Sequence, residues 1–188
     1  VALTDEFMQA LLEKRSYKLI NPKDHSVTGQ LEAVSVFERL VHQAWKNGEP
    51  GVIFIDRINQ DNPTPQLGEI ESTNPCGEQP LLAYESCNLG SLNLEKFVVD
   101  GEFDYEHLRQ IIRLAIHFLD NVIDANRYPL PQIAELTRAN RKIGLGVMGW
   151  ANALILLGIP YNSEEAIAKA REVMAFLEET AKAYSREL

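Results

Sequence analysis

The sequence predicts an α/β fold with a largely parallel sheet, because helical patterns alternate with short apolar runs along most of the chain. The clearest strand candidate is the continuous apolar run over 51–55, which is typical of a strand buried on both faces. A long helix candidate begins after Asp104 and ends near Asn126, with apolar residues every three or four positions. A chain of 188 residues with 45% apolar composition can bury one sizeable core or two small ones, and we expect the simpler arrangement of one compact unit.

The predicted elements are bounded by residues that favour helix caps and turns. Thr4 can cap the first helix, and Gly48 can end the second. The first half of the chain then predicts a helix over 4–15, a strand over 17–20, a polar loop to 29, a helix over 31–45 and the strand over 51–55. The second half predicts a weak strand over 88–94, helices over 104–126, 131–139, 148–157 and from 163 onward, and a strand over 142–147.

The net charge of −9 and the isoelectric point near 5.0 argue against a nucleic-acid partner or an anionic membrane surface, which would require clustered Lys and Arg. Two cysteines are too few for a secreted disulfide scaffold, and no apolar run is long enough to span a bilayer. These observations favour a soluble cytoplasmic protein without a membrane partner. Because helical patterns lie at both ends, we expect the chain to be a piece of a longer protein.

Both cysteines follow a segment that Pro and Gly break up, and long connections of this kind are often functional. Cys76 lies between Pro75 and Gly77, so we expect a tight loop that holds the thiol outward. On an extended segment Asn74, Cys76 and Glu78 would project to the same side and bring an amide, a thiol and a carboxylate together. The stretch therefore predicts redox or nucleophilic chemistry by Cys76, with Glu78 as acid or base, against the alternative of an ordinary polar loop.

The glycines of residues 144–149 match the dinucleotide-binding pattern GxGxxG. They follow a predicted strand and open a predicted helix, as that pattern requires. The acidic residue expected about 20 positions later would be Glu164, which begins a helix and does not end a second strand. Close packing between strand and helix therefore explains the glycines better than nicotinamide or flavin binding.

The histidines and cysteines do not predict a metal site. The ten residues between Cys76 and Cys87 exceed the usual separation of paired zinc ligands. Neither cysteine has the apolar neighbours of a buried structural thiol. Four histidines show no ligand spacing with either cysteine, namely His25, His42, His107 and His117.

Five stretches follow one another along the chain in an order that points to a known family. They are 51–59 (GVIFIDRIN), 62–65 (NPTP), 74–78 (NPCGE), 86–91 (SCNLGS) and 141–149 (RKIGLGVMG). Together they resemble the active-site region of ribonucleotide reductases, most closely the cobalamin-dependent, class II form. The resemblance covers nearly the whole chain. It also gives the GxGxxG pattern a structural role.

The resemblance implies a fold and a domain organisation. The chain would be part of a ten-stranded α/β barrel made of two half-barrels, with a finger loop through its centre. That loop would cover about 73–87. All of 1–188 would then be a fragment of one catalytic barrel domain, with no separate second domain.

The resemblance also implies a role for each residue of the loop. Cys76 would carry the thiyl radical that abstracts the ribose 3′-hydrogen, and Glu78 would take the proton of the 3′-hydroxyl. Asn74 would hydrogen-bond in the substrate site and help to orient that carboxylate. Cys87 would be one thiol of the pair that reduces the 2′-carbon and becomes a disulfide. The substrate-binding residues would be Asn74, Pro75, Cys76, Gly77 and Glu78.

The implied activity is the reduction of ribonucleotides to 2′-deoxyribonucleotides, with adenosylcobalamin as cofactor. The partners would be a ribonucleoside di- or triphosphate, a thioredoxin-type reductant and the remainder of the barrel, with a homodimer as a further option. The alternatives are a class I large subunit, whose radical comes from a partner subunit, and more remotely a non-catalytic assembly domain. Because the family's second redox thiol and phosphate-binding turns have no counterpart here, we expect the chain alone to be inactive.

Overall fold

The computed structural model describes all of residues 1–188, which form two compact units, 1–83 and 84–188, and not the single compact unit expected from the chain length. Each unit has helices, strands and a core of its own and is described separately. No helix combines the length and the apolar character that crossing a bilayer requires.

The first unit contains six short strands and three α-helices. In chain order they are β1 (Ala2–Leu3), α1 (Asp5–Leu12), β2 (Ser16–Ile20), β3 (Val27–Glu32), α2 (Ala33–Asn47), β4 (Ile53–Phe54), α3 (Ile55–Gln60), β5 (Ile70–Thr73) and β6 (Pro80–Leu82). Strand β1 pairs with β4 in parallel, whereas β2–β3 and β5–β6 are antiparallel hairpins. A 3-10 helix at Pro65–Leu67 lies between α3 and β5.

The core of the first unit lies between α1 and α2. Phe7 and Ala10 of α1 are buried there with Leu3, and Tyr17 meets Phe7 edge to face with ring centroids 5.1 Å apart. Thr4 caps α1, because its hydroxyl accepts a hydrogen bond from the Phe7 N–H at 3.1 Å. The cap and the apolar face together fix the start of the chain's first helix.

The second unit contains four strands and four α-helices. They are β7 (Asn88–Asn93), β8 (Val98–Val99), β9 (Glu102–Phe103), α4 (Tyr105–Ala125), α5 (Pro131–Asn140), β10 (Ile143–Met148), α6 (Trp150–Leu157) and α7 (Glu164–Glu187). Strands β7 and β10 are parallel, with Ile143 opposite Asn88, and β8–β9 is an antiparallel hairpin. A 3-10 helix at Leu94–Phe97 follows β7.

The larger core lies where α4 packs on β7 and β10 and where α7 packs on α4. Leu108 and Ile112 of α4 and Val173 of α7 are fully buried in it. Burying one side chain of this size stabilises a fold by about 1.5–3 kcal/mol. Asp104 caps α4 by accepting a hydrogen bond from the His107 N–H at 2.9 Å. The helices are therefore held over the strand pair by packing and by a capped start.

The predicted helix boundaries agree well with the structure, and the α/β class is confirmed. α4 begins after Asp104, α6 ends at Gly158 with φ +73, and α7 begins after Ser163, as the capping residues indicate. α1 is shorter than the predicted helix over 4–15. It ends at Leu12, and Lys14 beyond it has a left-handed φ of +54.

The strand predictions are less accurate. The run over 51–55 is not a strand buried on both faces, because only Ile53 and Phe54 pair, Phe54 is 46% exposed, and α3 begins at the next residue. The predicted polar loop to 29 contains the start of β3. The sheet is not largely parallel, since the strands form five separate pairs of which three are antiparallel hairpins. Strands joined by short connections pair antiparallel, which helix and strand alternation does not reveal.

The glycines of 144–149 include one that close packing requires. Gly149 separates β10 from α6 and has φ +71. A Cβ atom at this position would lie 2.0 Å from Asn93 Oδ1 and 3.4 Å from the backbone nitrogen of Glu95. Asn93 Oδ1 in turn accepts a hydrogen bond from the Glu95 N–H at 3.3 Å. The interpretation of the pattern as strand-to-helix packing therefore holds at Gly149.

Gly149→Ala is expected to destabilise the protein more than Gly158→Ala. Both glycines have left-handed φ values, +71 and +73, so both variants carry strain of about 1–2 kcal/mol. Only the methyl at 149 would displace Asn93 from the Glu95 N–H, and losing such a cap costs about another 1 kcal/mol. The measurement is the urea midpoint of unfolding for the two variants. Equal midpoints would contradict the packing role of Gly149.

Candidate active site

The predicted cysteine loop is the turn of the β5–β6 hairpin. Thr73 at the end of β5 lies opposite Pro80 at the start of β6. Beyond that pair the Asn74 N–H donates a hydrogen bond to the Gln79 carbonyl oxygen at 3.3 Å. The two strands thus hold both ends of residues 74–79, so the loop is a short connection with fixed ends.

Residues 74–77 have the sequence of a type I turn. That turn favours Asn at its first position, Pro at its second and Gly at its fourth, as Asn74, Pro75 and Gly77 provide. The Gly77 N–H closes the turn on the Asn74 carbonyl oxygen at 3.0 Å, and Gly77 itself has φ +84. A type I turn followed by a left-handed residue is a common hairpin connection. Cys76 therefore occupies the third position of the turn, at the tip of the hairpin.

Asn74 uses its side chain to hold the turn. Its Oδ1 accepts a hydrogen bond from the Gln79 N–H at 3.0 Å, and the Thr73 hydroxyl donates to its carbonyl oxygen at 2.9 Å. Glu78 is exposed, and no hydrogen bond joins it to Asn74. The expectation that Asn74, Cys76 and Glu78 alternate along an extended segment is wrong, because the backbone reverses direction between Asn74 and Gly77. The turn therefore keeps the three residues on one short connection, but it does not pair their side chains.

Cys76 is exposed and borders a cavity of about 410 Å³ in the first unit. Val52 and Ile53 give this cavity an apolar side, while Glu49 and Glu71 add two acidic residues. The volume is within the range of small-molecule sites. Two carboxylates would repel a phosphate group. The cavity therefore suits an uncharged part of a ligand, such as a sugar, better than an anionic part.

A second cavity, of about 420 Å³, lies along α2 and contains no cysteine. Phe37, Val41 and Trp45 form most of its wall, with Glu38 and His42 as its polar members. No group of three or more His, Cys, Asp or Glu side chains is arranged to hold a metal ion. The available chemistry therefore favours the cavity beside Cys76 as the candidate active site.

Cys87 belongs to the second unit, where it directly precedes β7 and is partly buried. Its thiol donates a hydrogen bond to the Asn88 carbonyl oxygen at 3.4 Å. Burial raises the pKa of the Cys87 thiol, while the Lys142 ammonium lowers that pKa and the Glu85 carboxylate raises it. The Asn88 Oδ1 is buried without a hydrogen-bond partner, which is unusual away from functional sites. Cys87 is therefore a free thiol in a polar, partly enclosed environment.

The sequence analysis missed a polar cluster next to Cys87, formed by Glu85, Asn140 and Lys142. The Glu85 carboxylate accepts hydrogen bonds from Lys142 Nζ at 2.7 Å and from Asn140 Nδ2 at 2.8 Å. Its side chain is completely buried, whereas that of Lys142 is 21% exposed. The available signal was an acidic residue two positions before a cysteine, directly after the apolar run 81–84. Its partners lie far along the chain, so spacing could not identify them.

Comparison with known proteins identifies the family. All of residues 1–188 match the family model described as ribonucleotide reductase, barrel domain. The vitamin B12-dependent ribonucleoside-diphosphate reductase of Thermoplasma acidophilum is 51% identical over 94% of this chain, and that of Mycobacterium tuberculosis is 46% identical over 100% of it. The vitamin B12-dependent ribonucleotide reductase of Streptomyces clavuligerus is 33% identical over 100% of the chain.

The chain spans only part of those relatives, covering 23%, 27% and 20% of their respective lengths. The family model, in contrast, matches from the first residue of the chain to the last. The chain therefore belongs to the ribonucleotide reductase family and lies within its barrel domain.

Proposed function

We propose that the chain is the part of a ribonucleotide reductase that carries its radical cysteine, and that the whole enzyme reduces ribonucleotides to 2′-deoxyribonucleotides. The observation that carries this proposal is the Cys76 thiol, exposed on a hydrogen-bonded turn beside a cavity of ligand size. The relatives are named as vitamin B12-dependent reductases, which supports the same chemistry. Asn74, Pro75, Cys76, Gly77 and Glu78 are the proposed substrate-binding residues.

In the proposed first step Cys76, as a thiyl radical, takes the hydrogen atom from the ribose 3′-carbon. An S–H bond forms and the unpaired electron moves to that carbon. Glu78 accepts the proton of the 3′-hydroxyl, and such proton transfer typically contributes about 10²- to 10⁴-fold to a rate. Asn74 keeps the turn closed through Gln79, so that thiol and carboxylate stay on one short connection.

In the proposed second step Cys87 and another thiol supply two electrons to the 2′-carbon. The C2′–O bond breaks and a C2′–H bond forms, while the second hydrogen leaves with the hydroxyl as water. The two sulfurs lose those hydrogens and join in a disulfide. Cys76 then returns its hydrogen atom to the 3′-carbon and Glu78 returns the proton to the 3′-oxygen, so atoms and electrons balance and the thiyl radical is restored. Burial, which raises the pKa of Cys87, favours the protonated thiol that this step consumes. Because Cys76 is the proposed radical carrier, the thiol that pairs with Cys87 is proposed to lie elsewhere in the longer enzyme.

Adenosylcobalamin is the proposed cofactor, since the relatives are named as vitamin B12-dependent. When bound it supplies the radical chemistry that a protein side chain cannot start alone. The exposure of Cys76 fits a thiol that an external radical source must reach.

The names of two relatives favour ribonucleoside diphosphates over triphosphates as substrates. The other proposed partners are a thioredoxin-type dithiol, which reduces the disulfide again, and the remainder of the barrel. Under this proposal 1–188 is part of one barrel domain, and the finger loop covers about 73–87. The proposed location is the cytoplasm, where dithiol reductants persist.

Two alternative functions, a class I reductase and a non-catalytic assembly domain, would require different features of the protein. A class I enzyme would need a second, radical-generating subunit, and the vitamin B12 dependence in the relatives' names weighs against it. A non-catalytic assembly domain would use exposed apolar helix surfaces, such as Leu114 and Phe118 of α4, and would not need the Cys76 thiol. The first variant below separates all three.

In the full-length reductase Cys76→Ser is expected to abolish deoxyribonucleotide formation while nucleotide binding is retained. The serine hydroxyl has nearly the same shape as the thiol but is not a competent radical carrier. Product formation, equilibrium nucleotide binding and the paramagnetic resonance signal of a thiyl radical are measured with adenosylcobalamin alone. Full activity of the variant would favour the assembly domain. A wild-type enzyme that needs a second subunit would favour class I.

Glu78→Gln is expected to lower kcat of the full-length enzyme by about 10²- to 10⁴-fold with little change in KM, because an amide cannot accept the 3′-hydroxyl proton. Glu69→Gln is the matched control, since Glu69 is also exposed and lies outside the turn. Steady-state kinetics of the two variants make the comparison. A kcat for Glu78→Gln equal to that of the control would show that Glu78 is not the base.

Gly77→Ala is expected to lower activity well beyond its effect on stability, because a strained residue after Cys76 shifts the turn. Gly101, in the β8–β9 turn, provides a matched control with a similar φ, +80 against +84. Neither position has an atom within 4 Å of an added Cβ, so both variants cost about 1–2 kcal/mol through backbone strain alone. Urea midpoints and kcat are compared for both. Equal loss of activity in the two would contradict a special role for the turn.

A further inference from the structure

The pairing of β7 with β10 brings Lys142 next to Cys87. The two strands are parallel, and Ile143 lies opposite Asn88 at the first position of the ladder. Extending that register by one residue places Lys142 opposite Cys87. Neighbouring strands lie about 4.8 Å apart, and side chains opposite each other project to the same face. The backbone geometry therefore puts an ammonium-bearing side chain beside the partly buried thiol.

Glu85 fixes the position of that ammonium group. It precedes Cys87 by two residues, and its completely buried carboxylate binds Lys142 Nζ at 2.7 Å and Asn140 Nδ2 at 2.8 Å. A buried carboxylate that lost its cation would be strongly unfavourable, so the pair restrains the Lys142 side chain. The long side chain of a lysine is otherwise mobile. Here it is held at the start of the ladder, where Cys87 lies.

The segments on both sides of this pair are also fixed. Ser86 lies between Glu85 and Cys87, and its hydroxyl is 2.8 Å from Thr137 Oγ1 of α5. Arg141, next to Lys142, has φ +49, and its guanidinium binds Asp120 at 2.8 Å and Asp124 at 3.0 Å. Arg141 is thus directed to α4. Lys142, paired with Glu85, is the neighbouring cation that acts on Cys87.

We propose that Lys142 is a positioning residue for Cys87, and that its ammonium group, held by Glu85, stabilises the Cys87 thiolate when the redox disulfide is reduced again. The inference rests on the proposed role of Cys87 as a redox thiol. The Lys142–Glu85 ion pair then has a role in redox chemistry in addition to anchoring β7 to β10.

The charges around the thiol support this assignment. Burial raises the pKa of Cys87 and so favours the protonated thiol before substrate reacts. Two charged groups act on it, Lys142 from the β10 side and Glu85 from its own segment, and the lowering of the pKa by Lys142 exceeds the raising by Glu85. The ion pair therefore offsets part of the rise in pKa that burial causes. The thiolate forms more easily, although the protonated thiol is still the predominant form.

The chemical consequence concerns disulfide reduction by a dithiol. One thiolate of the reductant attacks the partner sulfur, the S–S bond breaks, and its electron pair moves to the sulfur of Cys87. A thiolate with a lower pKa leaves faster, so the ammonium of Lys142 accelerates this step. Cys87 then takes up a proton, and the second thiol of the reductant releases the partner sulfur as it forms its own disulfide. Lys142 also directs the attack, because Cys87 becomes the better leaving group.

The test compares Glu85→Gln with the double variant Glu85→Gln plus Lys142→Met in the reduced full-length enzyme. Both variants lack the buried carboxylate, so neither leaves it without a cation. The amide oxygen that Glu85→Gln introduces can still accept a hydrogen bond from Lys142 Nζ, so the ammonium group stays held and the two variants differ in that group alone. The rate of Cys87 alkylation by iodoacetamide is followed against pH. Cleavage after glutamate isolates residues 79–95 from the Glu85→Gln variants and residues 86–95 from chains that keep Glu85, and Cys87 is the single cysteine of either fragment.

The midpoint of alkylation is expected to be about one pH unit higher in the double variant. At neutral pH this corresponds to about tenfold less thiolate. Lys142→Arg in the same Glu85→Gln background restores a cation and should return the midpoint toward that of Glu85→Gln. The matched control is the exposed Glu178 and Lys182 pair of α7, where the same two substitutions should leave the Cys87 midpoint unchanged.

Equal midpoints in Glu85→Gln and the double variant would overturn the proposal and reduce Lys142 to an anchor of the strand pair. A second readout is the reduction of the oxidised enzyme by dithiothreitol, which should be slower in the double variant. Neither measurement depends on turnover. If the wild-type enzyme made no deoxyribonucleotide, the proposed function would fail, while the alkylation midpoints would still decide the role of Lys142.

Discussion

The parallel pairing of β7 with β10 is the constraint on which the second unit depends. Six residue pairs join two segments that the long helix α4 and the shorter α5 separate in sequence. Parallel strands cannot be joined by a tight turn, so the connecting helix must pack back on them, as α4 does. One end of the ladder sets Lys142 beside Cys87. The other end sets Gly149 against Asn93. A single pairing thus fixes both the environment of Cys87, the proposed redox thiol, and the start of α6.

The two cysteines are held by different kinds of structure, and the difference matches their proposed chemistry. Cys76 occupies a local turn, closed by hydrogen bonds between residues at most five positions apart, and its thiol is exposed. Cys87 lies at the start of a non-local ladder, next to a buried ion pair, and its thiol is partly covered. A radical carrier must be reached from outside the chain. A redox thiol must instead change its protonation state, and for that the surrounding charges matter most.

The features that could be predicted from the sequence are those that neighbouring residues determine. The turn at Cys76 is one, because Asn, Pro and Gly at fixed positions specify it, and the capped starts of α1, α4 and α7 are others. The failures concern partners distant in sequence. The run over 51–55 has the composition of a buried strand, yet pairing and burial depend on what packs against it. The sequence predicts a strand that includes Lys142. The contact between Lys142 and Glu85 cannot be predicted without the pairing register of β7 and β10.

The exposure of Cys76 also limits what this part of the enzyme can do by itself. A sulfur radical that abstracts hydrogen from a sugar must be kept from water and from other reactive groups. The cavity beside Cys76 leaves the thiol exposed, and its two carboxylates do not suit the phosphates of a nucleotide. Under the proposed function, shielding and phosphate binding come from residues outside 1–188, and the relatives contain about four times as much chain. Under the proposed function the hairpin supplies Cys76 and Glu78 on a hydrogen-bonded turn, and the enclosure that protects the radical comes from elsewhere in the fold.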